Sequence, residues 1–282
     1  MYFITFSYFI ILLIQQCQSF APIQTSWQNV RRSSLYSELQ DESAPSDVAD
    51  ALSTPQTNAD LIEIQNLKLQ LLKLCASYDR GFGATPRSRE QVEEIIKQLE
   101  LMNPTPVDAA KGVDGSYSNG SIPLEGIWRM VWTTALDVLN LGGNPLATPG
   151  AIYQKVTPPL ATNIIDFIPR YQSFLPTAFP SSLIRAEVQT RASNRVGYSN
   201  RVGLDFEAVK LAPVELLGMD TGILPPLNFN LPRIKVSDLP GVDPNNSPGY
   251  FDVIYLDEDM LIIKQNAPGG VFVSIKVPDC EP

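Results

Sequence analysis

Trp128, Met130 and Trp132 stand on alternate positions of EGIWRMVWTTA, residues 125–135. Read as a strand, that stretch puts two of the chain's three tryptophans and a methionine on one face. Tyr153, Phe206 and Tyr255 fall in other alternating segments and complete a candidate set. Aromatic rings offer large apolar contact area, and a tyrosine adds a hydroxyl for a ligand carbonyl or alcohol. Such side chains either pack as ordinary core or line a cavity for a lipophilic small molecule, and the pattern leaves both open. Trp128 reads as the structural member, and Trp132, nearer the strand end, as the ligand contact.

Groups for bond-making chemistry are scarce. The chain has no histidine, which removes the usual general base, the commonest zinc ligand and any Ser–His or Cys–His pair. Cys17, Cys75 and Cys280 form neither a disulfide framework nor a metal motif, and Cys75 reads as a buried, inert thiol on a helix face. Asp257, Glu258 and Asp259 share a hairpin turn, where three adjacent acids point apart and read as a solvated turn. No nucleophile elbow, P-loop or dinucleotide fingerprint occurs. Catalysis, metal and cofactor are therefore not expected. With 21 basic against 30 acidic residues the net charge is −9, which argues against a nucleic-acid partner.

A second candidate surface is MDTGILPPLNFNLP, residues 219–232, where Ile223, Leu224, Leu227, Phe229 and Leu231 follow neither helical nor strand period. An apolar run of this kind must be covered or meet something apolar. It reads either as a lid over a binding site that touches a lipid surface or as a loop pinned to the outside.

The elements that would position these residues come in two sets. Leu61, Ile64, Leu67, Leu71, Leu74, Cys75 and Tyr78 form one helical stripe, and Val92, Ile95, Ile96, Leu99 and Met102 a second. Thr85-Pro86 starts the second helix, so residues 61–103 read as a helical hairpin. Over 124–278 the period changes to two. IRAEVQTRA puts Ile184, Ala186, Val188 and Thr190 on one face, and RVGLDFEAV does the same with Val202, Leu204, Phe206 and Ala208. Counting YFDVIYL, MLIIK and GGVFVSIKV, about eight antiparallel strands result, which must close to hide their edges. The expected fold is mainly β with N-terminal helices: an antiparallel barrel packed with a helical hairpin. A barrel of about eight strands holds its own side chains or one small ligand.

The residues SYDRGFGATPRSREQVEEIIKQLELMNPTP, LEGIWRMVWTTA, AIYQKV and YLDEDMLIIKQNAPGGVFVSIK resemble, in order, successive blocks of the plastid lipid-associated proteins, or fibrillins. The resemblance runs from about Leu61 to Val277. It implies a lipocalin-like barrel, association with plastoglobules or thylakoids, and binding of prenylquinones, carotenoids or other lipophiles. The alternative it implies is a filled barrel acting as a coat of plastoglobules or a scaffold for an isoprenoid-pathway enzyme. Gly126-Ile127-Trp128 is similar to the lipocalin G-x-W signature, which would set Trp128 at the barrel floor under a basic side chain. Where the family has arginines after its YLDED turn, this chain has Leu261 and Lys264. Lys264 joins the candidate cavity set and is one candidate for that cover, a flexible point charge in place of a planar guanidinium. The resemblance leaves open which basic residue covers Trp128.

The front end resembles a two-part presequence of algae whose plastids lie inside the endomembrane system. Residues 1–19 hold the short apolar run YFIILLI and read as a signal peptide. Residues 20–37 are basic, serine-rich and acid-free, as transit segments are, and 38–60 read as a disordered acidic linker.

Overall fold

Strands that alternate apolar and polar residues leave a reactive edge unless the sheet closes, and this sheet closes. The computed structural model describes residues 58–280 except 103–104, 106–107, 117–120, 177–178, 196, 222–225, 231–248 and 267–268. The expected signal peptide, transit segment and most of the linker lie outside the described residues, as do Ile223, Leu224, Leu231 and the side chain of Phe229.

The wall strands are β1 (Gly126–Thr133), β2 (Ala147–Thr157), β3 (Leu160–Pro169), β4 (Leu183–Asn194) and β5 (Arg201–Leu216). Two short strands follow, β6 (Met219–Asp220) and β7 (Leu227–Asn230), then β8 (Tyr250–Leu256), β9 (Met260–Gln265) and β10 (Gly270–Val277). Around the barrel the order is β1-β2-β3-β4-β5-β8-β9-β10, with β10 returning to β1: an eight-stranded antiparallel closure. β8 covers only Arg201–Gly203 of β5, and β7 and β6 pair with the far half of that strand. The run expected to lack strand period thus contains β7.

Two helices lie against the outside of this wall, α1 (Asn58–Ser77) and α2 (Pro86–Leu101); a third, α3 (Leu136–Leu139), is a single turn. Pro86 opens α2, and the Thr85 hydroxyl accepts from the Ser88 amide at 3.3 Å, one of the four orphan donors of a helix start. On α1, Ile64, Leu67, Leu71 and Cys75 are buried, whereas Leu61 is exposed, so the stripe begins one turn later than expected. Burial pushes the Cys75 thiol up to about 12, which keeps it inert.

Two β-bulges decide where the aromatic residues go. In β1, Met130 pairs with Ser274 but Trp132 pairs with Val273, so Val131 is an extra residue and the alternation reverses there. In β8, Val253 pairs with Ile263 and Tyr255 with Ile262, leaving Ile254 extra. Each bulge turns one aromatic from the barrel interior to its outer face. Trp132, Val273, Ile262 and Tyr255 then form a cross-strand row, all of them 0% exposed, under Leu71, Cys75, Val92, Ile96 and Leu99 of the helices. A third bulge, at Glu207 of β5, points Val209 and Leu211 inward in place of the expected Ala208.

Polar contacts fix the hairpin to this row. Gly81 has φ of +102°, and a Cβ there would run into the Thr133 carbonyl, so the inter-helix turn sits flush on β1. The Arg80 guanidinium donates to the carbonyls of Pro149 and Gly150. The buried Lys68 ammonium reaches the Asp257 carboxylate at 2.8 Å and Asp259 at 3.5 Å. Asp257 also accepts from the Tyr255 hydroxyl at 2.6 Å and from the Met260 amide at 2.8 Å. The acidic turn is thus an anchor for α1 and not simply solvated.

Burial alone would raise the Asp257 carboxyl, but Lys68, Tyr255 and two backbone amides together hold it below the usual carboxylate range. Asp257→Asn leaves the buried Lys68 ammonium with only the exposed Asp259 carboxylate and is expected to cost about 2 kcal/mol, below the values for fully buried broken pairs because Asp257 is partly exposed. A depressed carboxyl contributes stability above its unfolded pKa of about 4, lost as pH falls through the folded value. Urea unfolding should therefore show the full deficit at pH 7 and a smaller one at pH 3; an equal deficit at both would contradict the pairing.

Candidate functional site

One end of the barrel is sealed. Trp128 is buried there with Val156, Ala161, Ala192, Val202 and Leu261, and Ala109, Ala110, Val113 and Leu124 pack beneath them. The Trp128 indole donates to the Leu124 carbonyl at 2.9 Å, and the Ala110 amide to the Ser199 carbonyl at 3.1 Å. Lys276, paired with Trp128 in register, holds its ammonium 5.2 Å from the indole centre. Gly126 makes that possible: φ is +136°, and a Cβ would meet the Lys276 Cε at 2.8 Å. Lys264, a candidate for the cover and for the cavity wall, is in neither place: it is exposed on the outer face of β9, because alternation turns Ile263 and Gln265 inward.

Above the sealed end lies a cavity of about 170 Å³. Its wall is apolar where Met130, Ile152, Ile165, Val188, Phe206, Phe251, Ile263 and Phe272 face it. Gln154 and Asn163, cross-strand partners on β2 and β3, add two amides, and Ser274 adds a hydroxyl. The cavity reaches the barrel end that carries α3, where Asp137, Val138 and Leu141 line it from above and Gly249, Tyr250 and Gln265 from the strand ends. Arg170 clamps the loop after α3, donating to the Asn144 carbonyl at 2.6 Å and the Gly142 carbonyl at 2.5 Å.

Asp137 is the carboxylate on this wall. Burial raises its pKa, and the Val138 amide and the Gln265 side chain oppose the rise without cancelling it. A carboxylate in such surroundings is a strong acceptor for a ligand O–H, because few waters compete for it. Gln265, its partner, carries a second N–H for a ligand carbonyl.

Of the expected cavity residues, Met130 and Phe206 line the hollow. Tyr153 is buried and borders it, but alternation with Ile152 and Gln154 points its ring to the opposite face, near Arg185. Trp128 belongs to the floor below the hollow. Trp132 and Tyr255 belong to the helix-packed outer row, because each follows a bulge. Leu227 is exposed on β7. The polar wall was readable: alternation in AIYQKV sets Gln154 with Ile152 and Val156, and an amide on an apolar face is a signal for a ligand.

The family profile PAP_fibrillin matches residues 65–274. The chain is 28% identical to the "Plastid-lipid-associated protein, chloroplastic" of Citrus unshiu, over 80% of this chain and 72% of that protein. It is 25% identical to "Plastid-lipid-associated protein 6, chloroplastic" of Arabidopsis thaliana, over 72% and 67%. Its identity to the "Chromoplast-specific carotenoid-associated protein C2, chromoplastic" of an Oncidium hybrid cultivar is 24%, over 78% and 71%. No solved structure matches the chain significantly.

Proposed function

Because the chain belongs to the PAP_fibrillin family, we propose that it is a plastid lipid-associated protein that holds the ring-like head of a lipophile in its barrel and performs no chemistry on it. Relatives named chloroplastic or chromoplastic support the plastid location. The signal-plus-transit presequence is the proposed route, and plastoglobules or thylakoids the proposed destination.

The observation that carries the reading is the hollow. A cavity near 150 Å³ admits a benzene-sized ring, so about 170 Å³ takes one substituted ring and not a whole polyprenyl lipid. A prenylquinone head or a carotenoid end ring fits that description, with its chain leaving through the α3 end. Burying roughly 120 Å² of ring surface contributes about 3 kcal/mol; the amides, Ser274 and Asp137 then orient the oxygens.

Equilibrium dialysis against a short-chain benzoquinone and its hydroquinone tests this, with saturable binding of one ring per chain expected. Lack of saturable binding by either would overturn the reading. Asp137→Leu should weaken the hydroquinone about tenfold, the value of a charge-assisted hydrogen bond, and leave the quinone within about twofold. Equal weakening of both would show that Asp137 only shapes the wall.

A further inference from the structure

We propose that the rim around the cavity mouth docks on a lipid layer without net charge, so that the hollow opens directly into lipid. The proposal adds a docking face to the lipid-associated role above. Large apolar side chains lie open on three connections at this end of the barrel. Phe174 (87% exposed) and Phe179 lie between β3 and β4, Leu136 and Leu146 between β1 and β2, and Leu217 and Met219 at the β5–β6 turn. Hydrogen bonds join the three into one surface. The Leu217 amide donates to the Ser182 hydroxyl at 3.0 Å, and the Gly218 amide to the Ser181 carbonyl at 2.8 Å. The Arg170 amide donates to the Leu146 carbonyl at 2.9 Å.

Charge says what the surface faces. In a chain of net charge −9, residues 134–146, 168–182 and 216–221 contain only Asp137, Arg170 and Asp220 as charged residues. Asp137 is bonded to Gln265 and Val138, and Arg170 to two backbone carbonyls, so both are turned away from the rim's outer face. Beyond the single exposed carboxylate of Asp220, what remains among the described residues is apolar, with no basic cluster to attract anionic lipid.

Leu217 supplies an independent observation. Its φ is +51°, followed by Gly218 at +76°, the geometry of a hairpin turn that asparagine and glycine favour. A half-exposed leucine there is strained. Leu217→Asn should therefore raise folding stability while weakening docking, opposite signs that a purely structural residue would not give.

The test uses the full chain and vesicles of brominated phosphatidylcholine, which carry no net charge. A reporter tryptophan at the rim, Phe174→Trp, is compared with Tyr198→Trp, exposed on the β4–β5 turn at the sealed end. Vesicles are expected to quench about half of the added emission at 174 and none at 198. Leu217→Asn combined with Phe174→Asp should lower the floated fraction several-fold, and adding anionic phosphatidylglycerol should not raise it. Equal quenching at both ends, no quenching at either, or binding that appears only with anionic lipid would overturn the proposal. Dialysis of the same variants without vesicles separates the claims. Quinone binding without rim quenching defeats docking alone, and rim quenching without quinone binding defeats the cavity reading alone.

Discussion

Trp132→Ala is expected to cost about 4 kcal/mol of folding stability, the range for truncating a fully buried large aromatic. Its ring lies outside the barrel, in the row with Val273, Ile262 and Tyr255, and Leu71, Val92 and Leu99 of the helical hairpin close over it. Removing it hollows the apolar interface that packs α1 and α2 against the wall. Trp132→Phe should cost far less, because the buried indole N–H meets no acceptor among the described residues. Phenylalanine keeps most of the contact and drops an unsatisfied donor. The two variants separate a packing role from a binding role. Urea unfolding should rank wild type, Phe and Ala in that order, while dialysis shows the Phe variant binding a short-chain quinone within about twofold of wild type. A Phe variant of native stability that lost the quinone would return Trp132 to the cavity wall.

Val188→Phe acts in the opposite sense. Val188 faces the hollow from β4, across from Asn163. In a close-packed interior the larger ring would force strain of about 1–3 kcal/mol. In a hollow it fills space, and cavity-filling changes usually leave stability unchanged or raise it by about 0.5–2 kcal/mol. The expected result is a protein at least as stable as wild type whose quinone affinity falls at least about thirtyfold, or about 2 kcal/mol. Loss of both stability and binding would mean that the cavity has no room for a ring.

Much of this architecture was legible in the chain. Thr85-Pro86 announces α2, and the uninterrupted alternation of IRAEVQTRA puts Ile184, Ala186, Val188 and Thr190 on the right face. Alternation failed where a strand carries an extra residue. Nothing in EGIWRMVWTTA or YFDVIYL marks Val131 or Ile254 as a bulge, because both belong to the β-branched types that strands favour everywhere. The bulges form because an outer row must meet a helical hairpin, a demand set by residues far away in the chain. Lys276 was hidden for the same reason, since its place over Trp128 depends on the β1–β10 register and on the missing Cβ of Gly126. The Lys68–Asp257 pair joins residues 189 apart, so the acidic turn looked solvated from its neighbours alone.

The hollow itself is tested most directly by what it retains. Wild type and Val188→Phe would be incubated with total plastid lipid, re-purified by gel filtration and extracted for mass spectrometry. Wild type should keep a ring-headed lipophile at close to one per chain, and the variant should keep none. A wild type that returns bare, or a variant that returns with the same load, would contradict a lipid held inside the barrel.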